Sequence, residues 1–267
     1  MQFSFPQIVR ETDQLRRIIR GWRGVGTTVA LVPLHQPIHD GHQSLLETAT
    51  RHAARTVVSV SPEIDIAQST MLGSDACDLI FAPEASPEPM GLRIADDDLE
   101  DQTVLESRLT GFARLFNQVQ PDIAVFGEKD WQQLVAVRRM VRGLAMPVGI
   151  VSSATIRSGD GLALSSRTRE LTPDDRVTAQ TLYKVLTATA ALIADGEPLD
   201  QVVGASTRFL SESGFDAVHY LTARRAHDLA PISAFDLKKP ARLLGSVQLG
   251  RVRLSDNVPI ARAAREN

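Results

Sequence analysis

Alternating strands and helices predict an α/β protein: a Rossmann-like, doubly wound parallel sheet followed by a second, smaller α/β domain at the C-terminal end. Three observations carry this expectation. First, Val29-Ala30-Leu31-Val32, Leu79-Ile80-Phe81 and Ile123-Ala124-Val125-Phe126 are short apolar runs without polar alternation, as strands buried on both faces are. Second, helical spacing returns between them, at residues 44–54 with Leu45 and Leu46 inward, and at 105–119. Third, the rhythm changes after Ser153. Long helices are expected at 174–194 and 199–213, then strand-like stretches at 217–221 and 242–254. The predicted domains are therefore residues 1–154 and 155–267.

The remaining elements follow in order. Ile8, Leu15, Ile18 and Ile19 stand at roughly helical spacing among charges, so residues 8–23 predict a surface helix with one apolar face, ended by Gly24-Val25-Gly26. Residues 56–60 read as a strand and are followed by a loop rich in Ser, Asp and Pro. Pro83, Pro87 and Pro89 interrupt the next stretch, and Asp96-Asp97-Asp98 reads as solvated surface because like charges repel and hydrate. A helix at 131–144 precedes a strand at 148–151.

Composition narrows the function classes. The chain has 267 residues, 43% hydrophobic and 23% charged, the profile of a soluble globular protein. Its 29 basic and 32 acidic residues leave a net charge of −3, which argues against broad binding to nucleic acid or an anionic membrane. The single cysteine, Cys77, excludes an intramolecular disulfide or a CxxC site and reads as a partly buried apolar residue. The start Met1-Gln2-Phe3-Ser4-Phe5-Pro6 lacks a secretory pattern, and no run of about 18 apolar residues predicts a membrane span. A cytoplasmic location is expected.

Three segments carry residues suited to phosphate chemistry. His39-Asp40-Gly41-His42 falls between a predicted buried strand and a predicted helix. Gly41 has no Cβ to keep a nucleotide from the backbone, and His39 and His42 can donate to phosphate oxygens as charge builds on them. Read as bare residues these are equally ordinary loop histidines; a zinc pair lacks Cys or carboxylate partners at ligand spacing. The second segment, Phe126-Gly127-Glu128-Lys129-Asp130-Trp131-Gln132-Gln133, also ends an apolar strand. Lys129 can neutralise phosphate, and Asp130 can hold a ribose hydroxyl, magnesium or the lysine itself; a solvated charged turn is the plain alternative. The third, Asp160-Gly161-Leu162-Ala163-Leu164-Ser165-Ser166-Arg167, offers two hydroxyls and a guanidinium on a Gly-led loop near the domain junction. It suits a mobile phosphate clamp, although Ser-Ser-Arg is a common surface run as well.

Together these segments resemble the pantothenate synthetases (pantoate–β-alanine ligases) of the HIGH-type nucleotidyltransferase superfamily. The resemblance is nearly residue for residue over 126–171, in FGEKDWQQLVAVRRMV and DGLALSSRTREL, and extends to RLLGSVQLGRVRLSDNV. It implies an AMP-forming ligase that uses ATP with Mg2+ to activate a carboxylate as an acyl-adenylate and passes the acyl group to an amine. The implied catalytic residues are His39 and His42 on the ATP phosphates, Lys129 on the α-phosphate, and Ser165, Ser166 and Arg167 as the clamp. Pro33, Gly41, Gly127 and Asp130 would surround the nucleotide, and Gln133 would touch the acid. The resemblance implies no metal site built from protein ligands. It also implies small-molecule partners and a homodimer.

The departures fall on the acid side. The family's P-T-M-G-x-L-H-x-G-H stands here as Pro33-Leu34-His35-Gln36-Pro37-Ile38-His39-Asp40-Gly41-His42, so His35 and Gln36 replace pocket-lining residues and are candidate substrate contacts. The expected N-P-x-Q-F reads Ser59-Val60-Ser61-Pro62-Glu63-Ile64, the arm after it is shortened, and residues 101–105 lack the Arg and His of R-P-x-H-F. A pocket built to hydrogen-bond pantoate would lose its grip without those partners. The expectation is therefore a pantothenate synthetase-like ligase with an altered substrate pocket. An authentic pantoate–β-alanine ligase with a rebuilt pocket, a nucleotidyltransferase, or an ATP-binding protein without ligase turnover are the alternatives.

Overall fold

A computed structural model of the chain describes residues 6–34, 38–61, 76–83, 90–94, 99–236 and 238–262. His35, Gln36, residues 62–64, Pro87, Pro89 and the acidic run at 96–98 lie outside the described residues. The chain forms two compact units. One comprises residues 1–128 and 132–155, the other residues 129–131 and 156–267.

The first unit is a six-stranded, wholly parallel sheet in the order β1-β4-β3-β2-β5-β6. Its strands are β1 (Gln7–Val9), β2 (Val29–Leu34), β3 (Arg55–Val60), β4 (Leu79–Phe81), β5 (Ile123–Gly127) and β6 (Gly149–Ser153). Its helices are α1 (Thr12–Gly24), α2 (Gln43–His52), α3 (Gln102–Val119) and α4 (Trp131–Gly143). Alternation of side chains along a strand sorts the core into two faces. Val32, Val58, Ile80 and Val125 pack with Leu45, Leu46 and Ala49 of α2 on one face. Phe126, the next residue after Val125, meets Phe112 and Phe116 of α3 edge to face, with ring centroids 5.0 and 6.4 Å away. Helices thus cover both faces, which is why β2 is buried along its entire length.

The strand order reverses beside β2. Its chain successor β3 lies on one side and β5 on the other, so the carboxyl ends of β2 and β5 are neighbours at the switch point. The His39–His42 turn follows β2, and Gly127-Glu128 closes β5.

Two local expectations change. The predicted helix at 8–23 is a short strand followed by α1, and Ile8, placed on the apolar helix face, is an exposed strand residue instead. Gln7-Ile8-Val9 pairs in register with Leu79-Ile80-Phe81, so pairing with the distant strand β4, not local spacing, decides its conformation. The single strand-like stretch at 242–254 is a hairpin of two strands turning at Gly250-Arg251.

The second unit is a three-stranded antiparallel sheet, β7 (Ala217–Arg225), β8 (Ala241–Leu249) and β9 (Val252–Ile260), packed with α5 (Pro173–Asp195) and α6 (Leu199–Glu212). Thr172 begins α5 through a reciprocal cap with Asp175, and Pro173 occupies the first turn, where its missing N–H costs nothing. By length and composition α5 could cross a membrane, yet Leu182, Leu186 and Ile193 bury it in this unit's core. It is a core helix.

The loop that enters this unit is held by a largely buried ion pair. Arg157 makes two bonds to Asp256 on β9, at 2.6 and 3.0 Å, and a third to the carbonyl of Gly161 at 3.1 Å. Its guanidinium lies 3.7 Å from the centroid of the Tyr183 ring. Gly161 takes φ +89°, and a Cβ there would stand 2.8 Å from Tyr183 Cδ1, so only glycine suits both the turn and the close approach.

This packing can be tested at two positions. Asp256→Ala leaves the Arg157 charge buried without its counter-ion, and a loss of about 3–5 kcal/mol in unfolding free energy is expected by urea denaturation. A loss under about 0.5 kcal/mol would place the pair among inconsequential surface contacts. Burial also pushes the Cys77 thiol up to about 12, so it stays protonated at pH 8. Maleimide should label it only after unfolding.

Candidate active site

The turn after β2 is built by its own histidines. His39 caps a short 3-10 turn, Asp40–His42, and its Nδ1 accepts the Gly41 N–H at 3.1 Å. His42 Nδ1 in turn accepts the His39 N–H at 3.1 Å. The rings lie 3.9 Å apart, tilted by 33°. A neutral imidazole that accepts at Nδ1 carries its proton on Nε2. In the neutral ring the backbone therefore sets both tautomers, with the proton of each on Nε2. Ser44, at the start of α2, donates to the Gly41 carbonyl at 3.1 Å and closes the turn.

Pro33 is buried near the carboxyl end of β2, opposite Ser59 of β3. Gly127 ends β5, and a Cβ added there would meet only Leu45 Cδ2, at 3.9 Å. Packing within the protein does not demand a glycine at that position. Glu128 accepts from Ser152 at 3.0 Å. Burial lowers the Arg138 pKa, and the Glu128 carboxylate works in the opposite direction.

Gln133 lies in the first turn of α4 and is half-buried. Its Oε1 accepts a bond of 2.9 Å from Arg108 Nη1 on α3. Sequence reading passed over Arg108, because it lies three residues beyond the 101–105 window that matches the family's Arg/His motif. It also passed over Gln132, which is 6% exposed and has neither amide atom hydrogen-bonded among the described residues. An amide in that state has a cost of about 1–3 kcal/mol unless a ligand or water pairs with it.

In the second unit, Lys129 Nζ lies 3.3 Å from Asp130 Oδ1, so of the three partners open to Asp130 the described residues supply the lysine. The segment is tied down at two further points. Asn257 donates to the Lys129 carbonyl at 2.8 Å, and Trp131 Nε1–H donates to the Ala226 carbonyl at 2.9 Å beneath the Arg242 guanidinium.

Lys129 shares a small cleft with Ser165, Arg167, Tyr183, Arg253 and Ser255. Three cationic side chains, the hydroxyls of Ser165, Thr168, Tyr183 and Ser255, and the Asp256 carboxylate therefore border one space within this unit. Ser165 is buried, and its Oγ accepts the Thr168 N–H at 3.2 Å, an arrangement that shapes the 3-10 turn Arg167–Arg169. Arg167 is more exposed and donates to the Arg253 carbonyl at 3.1 Å. Ser166 opens the same turn in helical conformation but is not among the residues lining the cleft. His35 and Gln36, the candidate substrate contacts before the histidine turn, lie outside the described residues.

Comparison with known proteins gives a consistent result. A family model described as pantoate-beta-alanine ligase matches residues 7–62 and 61–259. The pantothenate synthetase of Rhodopseudomonas palustris (strain HaA2) is 38% identical over 281 residues, covering 96% of this chain and 99% of that protein. The pantothenate synthetase of Caulobacter vibrioides is 34% identical with the same coverage. A crystal structure of pantothenate synthetase from Thermus thermophilus superposes with a TM-score of 0.83 at 31% identity, covering 96% of this chain and 99% of that one. A Francisella tularensis pantoate-beta-alanine ligase, at TM-score 0.73 and 22% identity, shares the fold. With these matches spanning nearly the whole chain, it belongs to the pantoate-beta-alanine ligase family of AMP-forming acid–amine ligases.

Proposed function

We propose that the chain uses ATP to adenylate a small carboxylic acid and passes the acyl group to an amine, with an acid pocket that departs from the family's pantoate contacts. The observation that carries the activation half is the cleft where Lys129, Arg167 and Arg253 stand together with Ser165. Concentrated positive charge with hydroxyl donors suits a polyphosphate whose charge shifts during reaction. In the first unit, His39 and His42 are assigned to the ATP phosphates.

In the first step a carboxylate oxygen bonds to the α-phosphorus, the bond from that phosphorus to the bridging oxygen breaks, and pyrophosphate leaves. In the second, the amine nitrogen attacks the acyl carbon, AMP departs with the electron pair of the broken C–O bond, and the nitrogen loses a proton. Lys129 offsets α-phosphate charge in the first step, and Ser165, Ser166 and Arg167 hold the departing phosphates. Pro33, Gly41, Gly127 and Asp130 are assigned to the nucleotide, and the space at Gly127 is compatible with a close approach. His35, Gln36 and Gln133 are assigned to the acid. Among the described residues no group of three His, Cys, Asp or Glu side chains could hold a metal. A Mg2+ ion brought with ATP would neutralise charge on its phosphates.

The altered acid pocket rests on the replacements at Leu34-His35-Gln36 and the missing polar contacts at 59–64 and 101–105. A second reading, an authentic pantoate–β-alanine ligase with a rebuilt pocket, is favoured by the full-length match at 38% identity. The family resemblance further carries a homodimer, which light scattering on the purified protein checks.

Acid-dependent exchange of labelled pyrophosphate into ATP tests the reading. Exchange is expected with at least one acid of a broad panel; pantoate as the best substrate would select the second reading. Binding of ATP without exchange on any acid would remove the ligase assignment. Lys129→Ala should lower exchange by about 10²–10³-fold, while the ATP dissociation constant stays within a few-fold. An equal fall in both would show that Lys129 contributes to binding rather than to the transition state.

A further inference from the structure

Among the polar groups at the start of α4, one pair is out of keeping with a pocket for a singly charged acid. Arg108 is half-buried on α3, and its partner among the described residues is a neutral amide oxygen, that of Gln133. No carboxylate lies within ion-pair distance of it among the described residues, whereas Arg55, Arg157, Arg176 and Arg225 all have aspartate partners. Glu106, two positions earlier on the same helix, accepts instead from the Ile94 N–H and from Gln102, at 3.1 Å each. Residues two apart on a helix do not face one another, which keeps Glu106 from serving as the counter-ion.

A guanidinium has five N–H donors in a planar fork that matches a carboxylate at two points. Among the described residues one donor is engaged. Removing such a group from water without an anion is unfavourable, so the site gains when a ligand brings one. The location agrees: Gln133 lies directly beyond the carboxyl end of β5, beside the switch point where ligands of this sheet type bind.

We propose that Arg108 determines specificity in the acid site and that the acid it selects carries a second carboxylate. This rests on the ligase reading above and on Gln133 as the acid contact. One carboxylate of the substrate reacts at the α-phosphorus, with pyrophosphate leaving as its bond to that phosphorus breaks. The other is held by Arg108, while Gln133 keeps its amide N–H2 for a neighbouring oxygen. A bidentate lock on the reacting carboxylate would draw electron density from the attacking oxygen. Binding the second carboxylate avoids that conflict and still fixes the orientation.

Pyrophosphate exchange with matched pairs tests this: malonate against propionate, succinate against butyrate, and pantoate as a hydroxylated monocarboxylate. The wild-type kcat/KM should favour at least one dicarboxylate over its match by about tenfold or more. Arg108→Gln and Arg108→Met should bring that ratio close to one, chiefly through a higher KM for the dicarboxylate, and Arg108→Lys should restore part of it. ATP affinity reports whether each variant is folded, and the wild-type comparison stands even where a variant is not. Preference for monocarboxylates or pantoate, or a ratio unchanged in folded Arg108→Gln, would overturn the role of Arg108 and leave the ligase reading intact. Exchange with no acid at all would overturn both.

Discussion

The first unit is organised by one constraint: β2 is sealed by helices on both faces and by strands on both edges. Its side chains from Val29 to Val32 are buried in the body of the sheet, away from the strand's carboxyl end. Polar chemistry gathers instead where the strand ends, because backbone groups there lose their ladder partners and must find others. The histidine turn is one solution. Its N–H groups are satisfied by imidazole nitrogens, and the same bonds set which nitrogen of each ring holds the proton.

The second unit reaches a comparable end by different means. Its antiparallel sheet carries buried polar residues, Asp256 and Asn257, side by side on β9. Asp256 fixes Arg157 and the turn leading to Ser165; Asn257 holds the backbone of Lys129. Adjacent residues of one strand thus anchor two segments far apart in sequence, both of which border the cleft. Neither residue need touch a ligand for the spacing of the cationic groups to depend on it.

Much of this was legible in the sequence, for identifiable reasons. Strands covered on both faces leave uninterrupted apolar runs, which made β2, β4 and β5 visible. Gly and Lys at strand ends, and Ser-Ser-Arg on a Gly-led loop, marked the phosphate-suited segments as residue types. What local patterns could not reveal were features created by distant partners. Gln7-Ile8-Val9 is a strand because Leu79-Ile80-Phe81 lies next to it, and its own neighbours read as helix. The break between β8 and β9 was hidden because apolar residues, Leu249 and Val252, resume on both sides of the two-residue turn Gly250-Arg251. The bond from Arg108 to Gln133 joins two helices across 25 positions and has no signature in either helix alone.

The placement of residues 129–131 also bears on dissection of the chain. They lie in sequence between β5 and the body of α4, yet pack with residues 156–267. A fragment cut after residue 155 would surrender the Trp131 indole from beneath Arg242, leave the Ala226 carbonyl without its donor, and strand Asn257 without the Lys129 carbonyl. The C-terminal unit is therefore not a portable module. Any circular permutant, split reporter or domain graft built from this scaffold must carry the Lys129-Asp130-Trp131 tripeptide with it.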